Sequence, residues 1–152
     1  SDVGLTTIDE SLNAIDRLPD GRLLVSTNGV ATVSAIVALD ADVLAFTPTS
    51  LGNTTTGTWA MYFDGSDVGL ANRTGEDIDA LDVTTGGNIY LSTDGDFAVS
   101  GVSGVNEDIF SCVAVAVGDT TVCNYSTTLY FDGSTWGLSA NDVDGFQLLT
   151  VP

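Results

Sequence analysis

Tyr62-Phe63-Asp64-Gly65-Ser66 returns as Tyr130-Phe131-Asp132-Gly133-Ser134, and the recurrence makes this chain a tandem repeat. Working outward, Ser1-Asp2-Val3-Gly4-Leu5 comes back at 66–70, and Leu24-Val25-Ser26-Thr27-Asn28-Gly29 comes back as Tyr90-Leu91-Ser92-Thr93-Asp94-Gly95. The offset is 66 from Glu10 to Glu76 and 68 from Asp64 to Asp132, so the second copy carries two extra residues near Asn124. A third copy opens at Trp136-Gly137-Leu138 and runs on through Asp142-Val143-Asp144-Gly145-Phe146. The chain reads as one domain made of repeat 1 (1–66), repeat 2 (67–134) and a partial third repeat (135–152).

Each repeat reads as four short strands, here a to d, separated by turn residues. Strand a is expected at Leu12–Leu18, Ile78–Val83 and Val143–Val151, followed in the first two copies by Pro19-Asp20-Gly21 and Thr85-Gly86-Gly87-Asn88 turns. Strand b is expected at Arg22–Thr27 and Asn88–Thr93, closed by Asn28-Gly29 and Asp94-Gly95. Strand c falls at Asp42–Thr47 and Asp108–Val113, and strand d at Thr58–Phe63 and Thr127–Phe131. Val33–Leu39 is apolar enough to be a short extra strand or a loop packed on the core. Nine strands and no helical period make the fold class all-β: two tandem four-stranded antiparallel repeats, blade-like or packed as a sandwich, plus a ninth C-terminal strand. In strand d, Trp59, Met61 and Phe63 alternate with Ala60, Tyr62 and Asp64, so both faces are expected to be covered.

At 152 residues and 43% apolar, the chain is long enough and apolar enough for a globular core. No apolar run approaches the roughly 20 residues a membrane helix needs. Ser1-Asp2-Val3, with no starting Met, reads as a trimmed mature end or as a cloning boundary. Three arginines (Arg17, Arg22, Arg73) face 21 acids, of which 18 are Asp and 3 Glu, and there is no Lys or His. A net charge of −18 argues against nucleic acid or anionic membrane as a partner. Asp at turns is a turn former, and in clusters it is also a ligand for Ca²⁺. The cluster that suits Ca²⁺ best is Asp64, Asp67, Glu76, Asp77 and Asp79, although its spacing is not that of an EF-hand.

Catalytic chemistry is narrowly bounded. Without His there is no Ser-His-Asp triad, and without Lys no Schiff base. No phosphate-binding loop is present. Paired carboxylates remain as a route to glycoside hydrolysis, but the Asp residues recur at turn positions, as a structural role predicts. The chain is therefore expected not to be an enzyme.

Cys112 and Cys123 lie eleven residues apart in one expected hairpin. They read as a hairpin disulfide, with two buried thiols as the alternative. Asn53, Asn72 and Asn124 each open an Asn-x-Ser/Thr triplet in an expected loop, and glycans there would accompany export. Disulfide and sequons together point to an extracellular or cell-surface location.

The segments Phe46-Thr47-Pro48-Thr49-Ser50-Leu51-Gly52, Tyr62–Leu70 and Glu76-Asp77-Ile78-Asp79-Ala80-Leu81 resemble the β-propeller-like repeats of long secreted bacterial proteins. The likeness covers almost the whole chain and implies architecture and export, not an activity. In the second copy Phe46-Thr47-Pro48 is replaced by Cys112-Val113-Ala114.

Closed propellers take about 4–8 blades, and repeat stacks at least three units. Two copies and a fragment are thus expected to complete their sheets with other chains, as a homo-oligomer or helical polymer, or to fold back as a sandwich. An assembly strand carrying Val143, Phe146, Leu148 and Val151 would add to the edge of a neighbour, giving a filament or surface layer. The alternative is a carbohydrate-binding or adhesive module with an exposed aromatic, Trp136 or Tyr125, closed into a ring.

Overall fold

The computed structural model describes residues 2–70 and 74–149. Repeat 1 contributes β1 (Leu12–Arg17), β2 (Leu23–Thr27), β3 (Ala31–Val33), β4 (Ile36–Ala38), β5 (Val43–Ser50) and β6 (Thr56–Phe63). Repeat 2 contributes β7 (Ile78–Val83), β8 (Asn88–Thr93), β9 (Phe97–Val99), β10 (Val102–Gly104), β11 (Phe110–Ala116) and β12 (Val122–Tyr125). One-turn helices at Ser66–Val68 and Gly133–Trp136 follow the two copies. The fold is all-β, as expected, and the two copies have the same architecture. Each is a four-stranded antiparallel sheet, ordered β1-β2-β5-β6 and β7-β8-β11-β12, with a small hairpin between strands b and c.

The first of these hairpins, β3-β4, takes the place of the one extra strand or loop expected at Val33–Leu39, and β9-β10 is its unforeseen counterpart in repeat 2. Val33–Leu39 reverses at Ser34-Ala35, both at positive φ (49° and 68°). Two such residues make the turn that matches the twist of paired strands. The second hairpin, β9-β10, reverses through Gly101, the counterpart of Ala35.

Two further expectations need correction. Strand d of repeat 2 is Val122–Tyr125, not Thr127–Phe131. The Ser126 hydroxyl accepts from Thr128 N and donates to Thr128 O, bending the chain there. Phe131 keeps only an isolated bridge to Ile109, the relic of the Val43–Phe63 pairing in repeat 1. The expected ninth strand is also absent among the described residues, since 143–149 carry no strand. Val143 N–H goes to Asn106 O and Leu148 N–H to the Asp82 carboxylate, so these groups join no strand ladder.

The sheets stack in a constant sense. In sheet 1 direct cross-strand partners put Ile15, Val25, Leu44 and Met61 on one face, here the front, with Leu23, Phe46 and Trp59. Leu24, Ala45 and Asp16 lie on the rear. In sheet 2 the front residues, the counterparts of those of sheet 1, are Leu81, Leu91 and Phe110, with Val83, Ile89 and Cys112. The main core joins the rear of sheet 1 (Leu24, Ala45) to the front of sheet 2 (Leu81, Ile89, Leu91, Phe110, Cys112). Phe97 and Phe110 stack within it at 4.0 Å between ring centroids. Trp59 and Met61 pack on a second cluster under the β3-β4 hairpin, while Tyr62 and Phe63 enter the main core, so β6 is covered on both faces along its C-terminal half.

Buried acids hold the loops in the same way twice. Asp42 accepts from Gly65 N at 2.9 Å and Leu39 N at 2.7 Å. Asp108 accepts from Gly133 N at 3.1 Å and Val105 N at 3.0 Å. Glu10 accepts from Thr32 N, as Glu76 does from Ala98 N. A carboxylate that collects backbone N–H groups is buried without loss of its hydrogen bonds.

Candidate functional site

Strands β1 and β7 lie side by side, and the C-terminal segment crosses their inner edges. The Asp16 carboxylate accepts Val83 N–H at 2.9 Å, and its counterpart Asp82 accepts Leu148 N–H at 2.5 Å. The segment therefore meets β7 through the same device by which β7 meets β1. Val143 N–H donates to Asn106 O at 3.0 Å.

Where these three segments converge there is an open cleft of about 310 Å³. Repeat 1 supplies Asn13 and Asn28 to its wall. Repeat 2 supplies their counterparts Asp79 and Asp94, together with Asp77, and the C-terminal segment supplies Asp142 and Asp144. Among the described residues, no Arg lines the cleft. Asp79 is 3% exposed, and neither of its carboxylate oxygens has a hydrogen-bond partner. Its nearest acidic neighbour is Asp142, which when ionised is another acceptor. Burial, then Asp142, raises the Asp79 carboxyl well above the usual carboxylate range. Burial, with Asp40 and Asp94 close by, raises Asp77 to about 6. Asp94 is also raised, by burial and by Asp142.

The acids expected to form a metal site are divided by the fold. Asp64 accepts from the N–H and hydroxyl of Ser66, and Asp67 accepts Thr121 N–H at 2.9 Å across the repeat junction. Glu76 is turned toward Ala98 N–H. Only Asp77 and Asp79 reach the cleft, where they meet Asp94 and Asp142. Among the described residues, no three acidic or thiol side chains are arranged to hold a metal as they stand. The cleft was hard to foresee because Asp94 lies in a turn and Asp142 far along the chain. One sequence signal was the exchange of Asn13 and Asn28 for Asp79 and Asp94 between copies.

Cys112 and Cys123 form the disulfide, with 5.7 Å between Cα atoms. It runs diagonally across β11-β12, since Cys112 faces Tyr125 and Ala114 faces Cys123. Asn53 is exposed in the β5-β6 loop. Asn124 is also exposed, but on β12 and not in the expected loop, and Asn72 lies outside the described residues. In the expected assembly strand, Val143, Phe146 and Leu148 are half-buried against the chain itself, and Val151 lies outside the described residues. Of the two aromatics, Trp136 is 75% exposed, whereas Tyr125 packs on the core with a buried hydroxyl. No helix among the described residues is long and apolar enough to cross a membrane.

No family model, no curated protein and no solved structure matches the chain.

Proposed function

We propose that the chain is a non-enzymatic extracellular structural subunit that assembles head to tail, the rear of repeat 2 in one copy receiving the front of repeat 1 in the next. One observation carries this reading. Residues that repeat 2 covers in repeat 1 are bare in repeat 2 itself: Tyr62 is 7% exposed and its counterpart Tyr130 is 54% exposed. Val68 packs on the core while its counterpart Trp136 stands in solvent, and fully buried Leu70 corresponds to half-buried Leu138. The complementary face lies at the other end, where Val3, Leu5, Leu12, Ile15, Leu23 and Trp59 line an apolar groove on the front of sheet 1.

The internal junction is a template for the contact between chains. A heterologous contact of this kind closes into a ring or runs on as a filament, according to its rotation. The half-buried segment around Phe146 and Leu148, already seated beside β7, is the part suited to add as a strand to the adjoining copy. Exposed Asn53 and Asn124 are available to glycans, and the disulfide suits an oxidising exterior.

Negative-stain electron microscopy of the purified chain at low and high salt tests the reading. Repeating polymers or rings, favoured by salt because the subunits carry −18 each, are expected. Monomers at every salt and protein concentration contradict it.

Trp136 also favours a second reading, a carbohydrate-binding module, since an exposed indole is a platform for a sugar face. Retention on a glycan array, lost in Trp136→Ala, would support that reading.

A further inference from the structure

We infer that the cleft at the junction of the three strand-a segments is a Ca²⁺ site, built on Asp79 with Asp77, Asp94 and Asp142. The inference is independent of the assembly proposed above. The first ground is Asp79 itself, 3% exposed, lining the cleft, and with no donor to either oxygen. A buried carboxylate without hydrogen bonds is costly unless something positive meets it. The second ground is its surroundings. Asp142 stands beside it, Asp94 beside both, and Asp77 on the same wall, with no cationic side chain in the lining among the described residues.

A proton shared by Asp79 and Asp142 would neutralise one charge and leave Asp77 and Asp94 side by side on the wall, where Asp94 N–H donates to Asp77 O at 3.1 Å. A divalent ion with oxygen preference would answer these charges by drawing the carboxylates together, since among the described residues no three are placed to hold it as they stand. Ca²⁺ fits better than Mg²⁺ because it takes 6–8 oxygens in flexible geometry, whereas Mg²⁺ demands a tight octahedron. The side-chain amides of Asn13 and Asn28 and water complete such a shell, although Asn13 already donates its Nδ2 to Ile78 O, which leaves its Oδ1 as the ligand atom.

Asp142 is on the segment without a strand, held by few backbone hydrogen bonds, so ion binding draws this segment onto β7. The work of closing the site limits affinity, and a dissociation constant on the order of 0.1–1 mM, as in extracellular modules, is expected.

The experiment is calorimetric titration of the EDTA-dialysed full chain with CaCl₂ and, separately, MgCl₂, with thermal melts at each end point. One site for Ca²⁺, a rise in melting temperature, and loss of both in Asp79→Asn are expected. Asp142→Asn, which alters an exposed position, is the second variant should Asp79→Asn fold poorly, and should weaken binding at least tenfold. Three results overturn the inference. Ca²⁺ has no effect on the wild type. Or both variants respond as the wild type does, which marks diffuse screening of surface charge. Or Asp79→Asn melts higher than the wild type while neither binds Ca²⁺, which marks a shared proton.

Discussion

Ile15 and Leu81 occupy the same place in successive repeats, yet Ile15 is 58% exposed and Leu81 is 3% exposed. The difference is one of cover, not of chemistry. Leu81 faces the rear of sheet 1, and among the described residues no sheet stands in the same relation to Ile15. Exposed apolar groups that are buried in an equivalent copy mark a contact surface, and a charge placed there should abolish the contact while leaving the fold alone. Ile15→Lys is expected to change stability by less than about 0.5 kcal/mol, as exposed substitutions do. It should abolish polymers seen by light scattering.

Acid stability should depend on Glu10. Its carboxylate accepts Thr32 N–H at 3.0 Å, Thr6 N–H at 2.6 Å and Thr7 N–H at 2.8 Å. These bonds, that from Thr32 foremost, hold its pKa down from 4.5 to about 2. A folded-state pKa below the unfolded one contributes stability that is fully present above pH 4.5 and is lost as pH falls toward 2. Unfolding followed by circular dichroism between pH 5 and 2 should show this loss. In Glu10→Gln the pH dependence over that window should be shallower.

The turn of the first small hairpin holds Ala35 at φ 68°, where repeat 2 has Gly101 at φ 88°. A side chain in the left-handed region costs roughly 1–2 kcal/mol, part of which glycine's greater chain entropy offsets. Ala35→Gly should therefore raise stability by about 0.5–1 kcal/mol. Urea denaturation of the two proteins measures it directly.

Gly133 should not tolerate a side chain. A Cβ there would lie 2.3 Å from Glu107 O, as one at Gly65 would lie 2.3 Å from Ala41 O. Both glycines also give their N–H to the buried Asp of their repeat. Gly133→Ala is expected to cost about 1–3 kcal/mol as an overpacked site does. A matching fall in denaturation midpoint at unchanged slope checks it.

Removing the disulfide should be felt in repeat 2. The Cys112–Cys123 bridge closes a loop of eleven residues and joins β12 to the sheet. In the chain-entropy picture such a loop contributes roughly 2–3 kcal/mol. Reduction, or Cys112→Ala with Cys123→Ala, should lower the urea midpoint and speed exchange of amide hydrogens in β11 and β12.

The repeat was legible because both copies keep the residues that the fold uses most: Glu10 and Glu76 for the first loop, Asp42 and Asp108 for the last, and Asp-Gly at the start of each one-turn helix. Strands β7 and β8 could be read to the residue, since Thr84 to Asn88 marks one end of each. The three-residue strands β9 and β10 could not, because Phe97-Ala98-Val99 and Val102-Ser103-Gly104 are too short to show a period. Strand β12 was misplaced because Tyr130-Phe131 matches Tyr62-Phe63 in sequence, while the two extra residues and the Ser126–Thr128 bend divide the strand. Of the acidic cleft, local spacing shows only the Asp77-x-Asp79 pair at the start of β7, because Asp94 comes from a turn and Asp142 from a segment distant in sequence.

The most direct measurement of the central claim is a mixing experiment by sedimentation velocity. Ile15→Lys blocks the front of repeat 1, and Tyr130→Lys blocks the rear of repeat 2. Head-to-tail assembly predicts that wild type forms rings or long species, that each variant alone is monomeric, and that an equimolar mixture forms a dimer and nothing larger, because one free front meets one free rear. A mixture that stays monomeric, or a wild type that never associates, would contradict the account.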